Sequence, residues 1–123
     1  MKKLLLALFT CAGLLTSSVT SAQMAAGSIA PDFTGTDLNG NTWNLYTLLD
    51  SGKTVFIDVS ATWCGPCWSF HNTGRLESLY NTYGPPGTNE VMVLYVEGDA
   101  STTLADLQGT GGNTQGDWIT GTP

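Results

Sequence analysis

An α/β fold organised around a strand-helix-strand unit is the class that this sequence predicts, on three observations. Two runs of strand length, Thr54–Ser60 (TVFIDVS) and Val91–Glu97 (VMVLYVE), are rich in β-branched and aromatic residues and apolar on both faces, the pattern of strands inside a covered sheet. Between them, Phe70, Leu76, Leu79, Tyr80 and Tyr83 fall mostly on one side of a helix. Pro66 suits the first turn of that helix, where a missing N–H costs nothing, and Gly84-Pro85-Pro86-Gly87 stops it. A strand, a helix and a strand in this order make the two strands parallel and the crossover right-handed.

Residues 1–22 read as a secretory signal peptide. Met1-Lys2-Lys3 is basic, residues 4–15 are largely apolar, and Thr20-Ser21-Ala22 offers small residues for cleavage. A membrane-spanning helix needs about 20 predominantly apolar residues, and polar residues crowd in from Thr16 to Ser21. Cys11 is a poor lipidation site, because the apolar run continues beyond it. Residues 25–31 are small and loop-like. Residues 33–37 and 42–46, around Asn39-Gly40-Asn41, predict a β-hairpin. Residues 47–51 predict a short helical turn closed by Gly52. The central helix is expected to run unbroken from residue 66 to about 83. Residues 101–107 predict a short helix, with Ser101 as its candidate N-cap. Residues 109–123, rich in Gly and Thr, have no assigned element, and no internal repeat is found.

Cleavage after Ala22 leaves residues 23–123, enough for one domain with one core. Lys53 and Arg75 then stand against ten carboxylates, a formal charge of −8. That balance argues against a nucleic-acid partner, since phosphate binding needs Lys and Arg in numbers. The mature protein is expected to be periplasmic or secreted, without stable membrane insertion. Cys11 leaves with the signal, so the working pair is Cys64 and Cys67, two residues apart. An exported compartment favours disulfides, but closing so short a loop constrains the unfolded chain little, so chemistry explains the pair better than stapling does. Zinc held by Cys64, Cys67 and His71 would lack a fourth ligand, so no metal and no cofactor beyond the cysteine pair is expected. His71 reads as an ordinary helix-surface residue, with tuning of the thiols as the alternative. Trp68 suits core packing as well as it suits the site.

The segment Ala61-Thr62-Trp63-Cys64-Gly65-Pro66-Cys67, at the junction of an apolar strand and a helix, contains WCGPC. It resembles the thioredoxin superfamily, and in particular the exported thioredoxin-like proteins of the redoxin group. Gly27, Ala30-Pro31-Asp32-Phe33 and Asp37-Leu38-Asn39-Gly40 resemble the entrance of that group, so the likeness covers roughly residues 27–97. It implies a thioredoxin-like fold for residues 23–123 and a thiol–disulfide oxidoreductase acting on protein disulfides outside the cytoplasm. Cys64, at a helix N-terminus that favours its thiolate, would open the substrate disulfide, and Cys67, one turn on, would release the product. Gly65 and Pro66 shape the turn. Trp63 walls the site and offers apolar contact to a bound polypeptide.

Asp58 interrupts an apolar strand six residues before Cys64. It is either a solvent-facing carboxylate on an edge strand or a partly buried acceptor for the proton of Cys67. Thioredoxin carries an Asp at the same offset, and the resemblance implies the second role. The Gly-Pro dipeptide is that of reducing thioredoxins, near about −270 mV, whereas strong oxidants lie near about −120 mV. The implied partners are protein thiols or disulfides and a redox donor that the sequence does not name.

The chain also departs from the family pattern. Thioredoxin-like domains continue into an antiparallel hairpin and a last helix, with a cis-proline facing the cysteines. Thr122-Pro123 is the candidate for that proline, and Pro123 is therefore a candidate substrate-binding residue. The hairpin and the helix are absent from the sequence. The domain is thus expected to be incomplete at its C-terminus, with one edge of the strand bearing Asp58 unpaired. Thiol peroxidase is the alternative enzyme class. It needs a proline and a hydroxyl residue where this chain has Ile57 and Ala61, which counts against it. A non-catalytic binding module that kept the fold is the other alternative.

Overall fold

A computed structural model describes residues 24–122, in two units. The signal peptide expected over residues 1–22, and Pro123, lie outside the described residues. Within the first unit, Met1–Pro31, the described residues hold one turn, in which the Ser28 N–H donates to the Ala25 carbonyl at 3.0 Å. The second unit, Asp32–Pro123, carries the helices and strands.

The second unit opens with the expected hairpin, β1 (Thr34–Thr36) antiparallel to β2 (Thr42–Asn44), with Gly35 opposite Trp43. Asp37 holds its turn. The carboxylate accepts the backbone N–H groups of Asn39 at 2.9 Å and Asn41 at 2.8 Å, the Asn41 amide at 2.9 Å and the Trp43 indole N–H at 2.9 Å. These bonds, the Trp43 indole first, pull the Asp37 pKa down to about 2 from 3.8. Because the folded-state value is the lower one, the stabilisation is complete above the unfolded value and is lost as pH falls through the folded one. The Trp43 indole proton is therefore expected to keep its hydrogen-bonded NMR shift down to about pH 4 and to lose it near pH 2. In Asp37→Ala that shift should be absent at every pH.

Asn44 then leaves the strand to cap a helix, its side-chain oxygen accepting the Thr47 N–H at 2.8 Å. As a result α1 (Leu45–Asp50) begins two residues earlier than the sequence suggests, and Leu45 and Leu48 are buried. It packs against β2 and against β3 (Thr54–Ser60).

The strand-helix-strand unit has the expected order, and β3 runs parallel to β4 (Val91–Glu97), from Thr54 opposite Val91 to Ser60 opposite Glu97. The start of β4 is covered as expected, with Val91, Met92 and Val93 buried. β3 is not. Phe56, Ile57 and Val59 are exposed, Val59 at 64 %, because among the described residues β3 pairs with β4 alone.

The central helix is not continuous. It divides into α2 (Gly65–His71) and α3 (Arg75–Tyr83), the latter packed on β4. The Asn72 amide donates to the Trp68 carbonyl at 2.9 Å and the Thr73 hydroxyl to the Phe70 carbonyl at 2.7 Å, so short polar side chains bond back to the last turn of α2. Gly74 then turns the chain at φ 64°, a conformation that glycine adopts without penalty.

The last helix is also shorter than expected. α4 (Leu104–Leu107) is capped by Thr103 rather than Ser101. Thr103 and Asp106 form a reciprocal capping box, in which Asp106 accepts the Thr103 N–H at 3.0 Å and hydroxyl at 2.6 Å. Beyond α4 the chain forms turns and one antiparallel bridge, between Gln108 and Asp117. No helix among the described residues is long and apolar enough to cross a membrane.

Candidate active site

Cys64 and Cys67 form a disulfide at the turn that joins the C-terminal end of β3 to α2, with their Cα atoms 5.2 Å apart. Cys64 is the N-cap of α2. Its backbone is extended, its N–H donates to the Ala61 carbonyl at 2.9 Å, and its sulfur accepts the Cys67 N–H at 3.3 Å. In the reduced protein that N–H would stabilise negative charge on the Cys64 sulfur more than on a neutral thiol, which favours the thiolate. Gly65 and Pro66 occupy the first two helical positions, where the absent proline N–H leaves no carbonyl unpaired. Both cysteines are half-buried and Pro66 is exposed. A Cβ built on Gly65 would meet nothing within 4 Å, so the space beside Cys64 is open there.

The residues just before Cys64 are held from several sides. Thr62 is wholly buried, at 0 % exposure. Its N–H donates to Glu97 at 3.1 Å, its hydroxyl to the Asn113 carbonyl at 2.9 Å, and its carbonyl accepts the Gln115 N–H at 2.9 Å. Trp63 is 50 % exposed, with its indole N–H on the Asp99 carboxylate at 2.8 Å. Its carbonyl accepts the Gln115 side-chain amide at 3.1 Å.

Asp58 lies half-buried on β3, opposite Tyr95 of β4, and accepts the Ser60 hydroxyl at 3.1 Å. Tyr95 registers this carboxylate. Burial, and then the charges of Asp58 and Glu77, push the Tyr95 hydroxyl up to about 12.

His71, expected on the helix surface, is instead part of an aromatic cluster. Its ring stacks on Trp68 with centroids 5.4 Å apart and lies 5.1 Å from Trp118 and 5.9 Å from Tyr95. The break after α2 and the return of the chain to Trp118 leave it half-buried. Trp68 packs on Trp118 at 4.9 Å and against Gly116, where an added Cβ would sit 2.4 Å from its ring. These are packing contacts. Among the described residues no group of three or more His, Cys, Asp or Glu could hold a metal ion.

Four residues beside the site were not found by sequence reasoning: Thr62, Glu97, Asp99 and Gln115. A signal existed for Glu97 and Asp99, since parallel strands of equal length bring the end of β4 beside the end of β3. For Gln115, more than 50 residues from Trp63 in the chain, there was none.

A parallel strand pair with a Cys-Gly-Pro-Cys disulfide at the strand-to-helix turn defines a redox-capable α/β protein. Over 70 residues, 57 % of this chain, the sequence is 40 % identical to the thiol-disulfide oxidoreductase ResA of Geobacillus kaustophilus (strain HTA426). The matched stretch spans 38 % of that relative's length. No family model and no solved structure matches the chain. The partial likeness supports the resemblance to thioredoxin-like redoxins over the stretch it covers.

Proposed function

We propose that this chain is a thiol–disulfide oxidoreductase of thioredoxin-like fold that acts on protein disulfides outside the cytoplasm, as a reductase. The observation that carries the reading is the Cys64–Cys67 disulfide at the N-cap of α2, with only Gly65 and Pro66 enclosed. In this reading residues 1–22 are removed on export, residues 23–123 belong to the redox domain, and the cysteine pair itself is the redox group. The Cys64 thiolate attacks one sulfur of a substrate disulfide and expels the other as a thiolate, which takes up a proton. The Cys67 sulfur loses its proton, attacks Cys64, and releases the second substrate thiol, leaving Cys64 and Cys67 oxidised. Asp58 is assigned as the acceptor of the Cys67 proton, a role its half-buried place on β3 supports. Trp63, Gly65, Pro66 and Pro123 are assigned to substrate contact. A separate dithiol donor must return two electrons per turnover.

The test is reduction of insulin disulfides with dithiothreitol as electron source. The reduced protein is expected to accelerate precipitation of the insulin B chain, and Cys64→Ser is expected to leave the rate at that of dithiothreitol alone. A wild-type protein with no effect would leave the binding-module reading in place.

A further inference from the structure

Trp63 is a large aromatic beside the disulfide with half its surface in solvent, yet both its indole and its backbone are held. A half-exposed side chain ordinarily keeps rotamer freedom that must be given up on binding. Here the indole N–H is fixed to Asp99 at 2.8 Å, and the backbone carbonyl from which the side chain springs accepts the Gln115 amide at 3.1 Å. Both holders are themselves fixed independently of Trp63. Asp99 accepts the Ser101 N–H at 2.9 Å and hydroxyl at 2.6 Å, and its own N–H donates to Glu97 at 2.8 Å. The bonds from Ser101, and then from Trp63, keep its carboxyl below the ordinary carboxylate range, so the acceptor is charged at neutral pH. The loop of Gln115 is tied down by the Gln115 N–H on Thr62 and by the Asn113 N–H on buried Asp106 at 3.0 Å.

We infer that Asp99 and Gln115 are positioning residues that hold the exposed face of Trp63 ready for a polypeptide, and so set how tightly a protein disulfide docks without taking part in the exchange. The inference rests on reading Cys64–Cys67 as a protein-disulfide exchange centre. A face ordered in advance costs less on binding, which lowers KM, while the sulfur chemistry at Cys64 does not pass through the indole.

The experiment measures kcat and KM for insulin disulfides in excess dithiothreitol, which re-reduces the protein at each turnover. Alongside, the pre-reduced protein is mixed with a small aromatic disulfide, whose two thiols are released as Cys64 and Cys67 become oxidised. Asp99→Ala is expected to raise KM for insulin about fivefold, with kcat and the small-disulfide rate changed by less than about twofold. Asp99→Asn, which keeps an acceptor oxygen, should recover most of that affinity, and Gln115→Ala should raise KM about twofold. In a Trp63→Ala background, adding Asp99→Ala should leave KM nearly unchanged, because the residue through which it acts is gone. Overturning results are an unchanged KM in Asp99→Ala beside an active wild type, or the same rise in KM with and without Trp63. If the wild type reduces neither disulfide, the exchange reading itself fails and takes this inference with it.

Discussion

Cys64→Ser is expected to abolish disulfide reduction, whereas Cys67→Ser should still attack substrate but stall as a covalent adduct. The difference follows from their unequal places on one short helix. The Cys64 sulfur sits at the N-cap and accepts the Cys67 N–H, so the turn favours its ionised form, while Cys67 lies inside the helix. In the reduced protein, Cys64 should therefore be alkylated at pH values well below the ~8.5 of a free thiol, ahead of Cys67. Iodoacetamide labelling across pH 5 to 9, read by peptide mass, checks the order. Asp58→Asn should leave the first attack largely intact and slow release, because Cys67 would lose its proton acceptor. Single-turnover kinetics with a disulfide peptide would resolve the two steps.

The largest stability effect is expected at Trp118. It is 9 % exposed and packs on Trp68 and His71, and its backbone N–H donates to the Leu107 carbonyl at 2.8 Å. Trp118→Ala would open a cavity behind α2 and cost about 3–5 kcal/mol. That is a large part of the ~5–15 kcal/mol of a typical domain. The indole N–H of Trp118 is buried without a hydrogen-bond partner among the described residues, so Trp118→Phe removes an unsatisfied donor along with volume and should cost less than the alanine variant. Urea unfolding followed by circular dichroism measures both. A loss below about 1 kcal/mol in Trp118→Ala would show that the cluster does not hold α2 in place.

What could be read from the sequence was whatever local pattern decides. The strands Thr54–Ser60 and Val91–Glu97 lie where their β-branched runs placed them, and the hairpin forms around its Asn39-Gly40 turn. The cysteine pair falls at the strand-to-helix turn, as the apolar run before it and Pro66 within it implied. Local competition defeated the single-helix expectation, since apolar spacing carries past residues 72–74 while Asn72, Thr73 and Gly74 bend the chain between two helices. The same competition shortened the last helix, where Ser101 bonds to Asp99 and leaves the cap to Thr103. The surroundings of the site were largely hidden because long-range contacts build them. Glu97, Asp99 and Gln115 reach Thr62 and Trp63 across 35 residues or more, and no periodicity records such a contact. His71 reads as a surface residue until Trp118 returns from the far end of the chain to cover it.

In the proposed exchange Cys64 makes the bond to substrate and Cys67 breaks it. Incubating Cys67→Ser with a disulfide-containing polypeptide, digesting the adduct without reductant and locating the cross-link by mass spectrometry tests it most directly. A mixed disulfide on Cys64, released by added dithiothreitol and absent from Cys64→Ser, is the expected result. No adduct on Cys64, or full reductase activity surviving in Cys64→Ser, would contradict it.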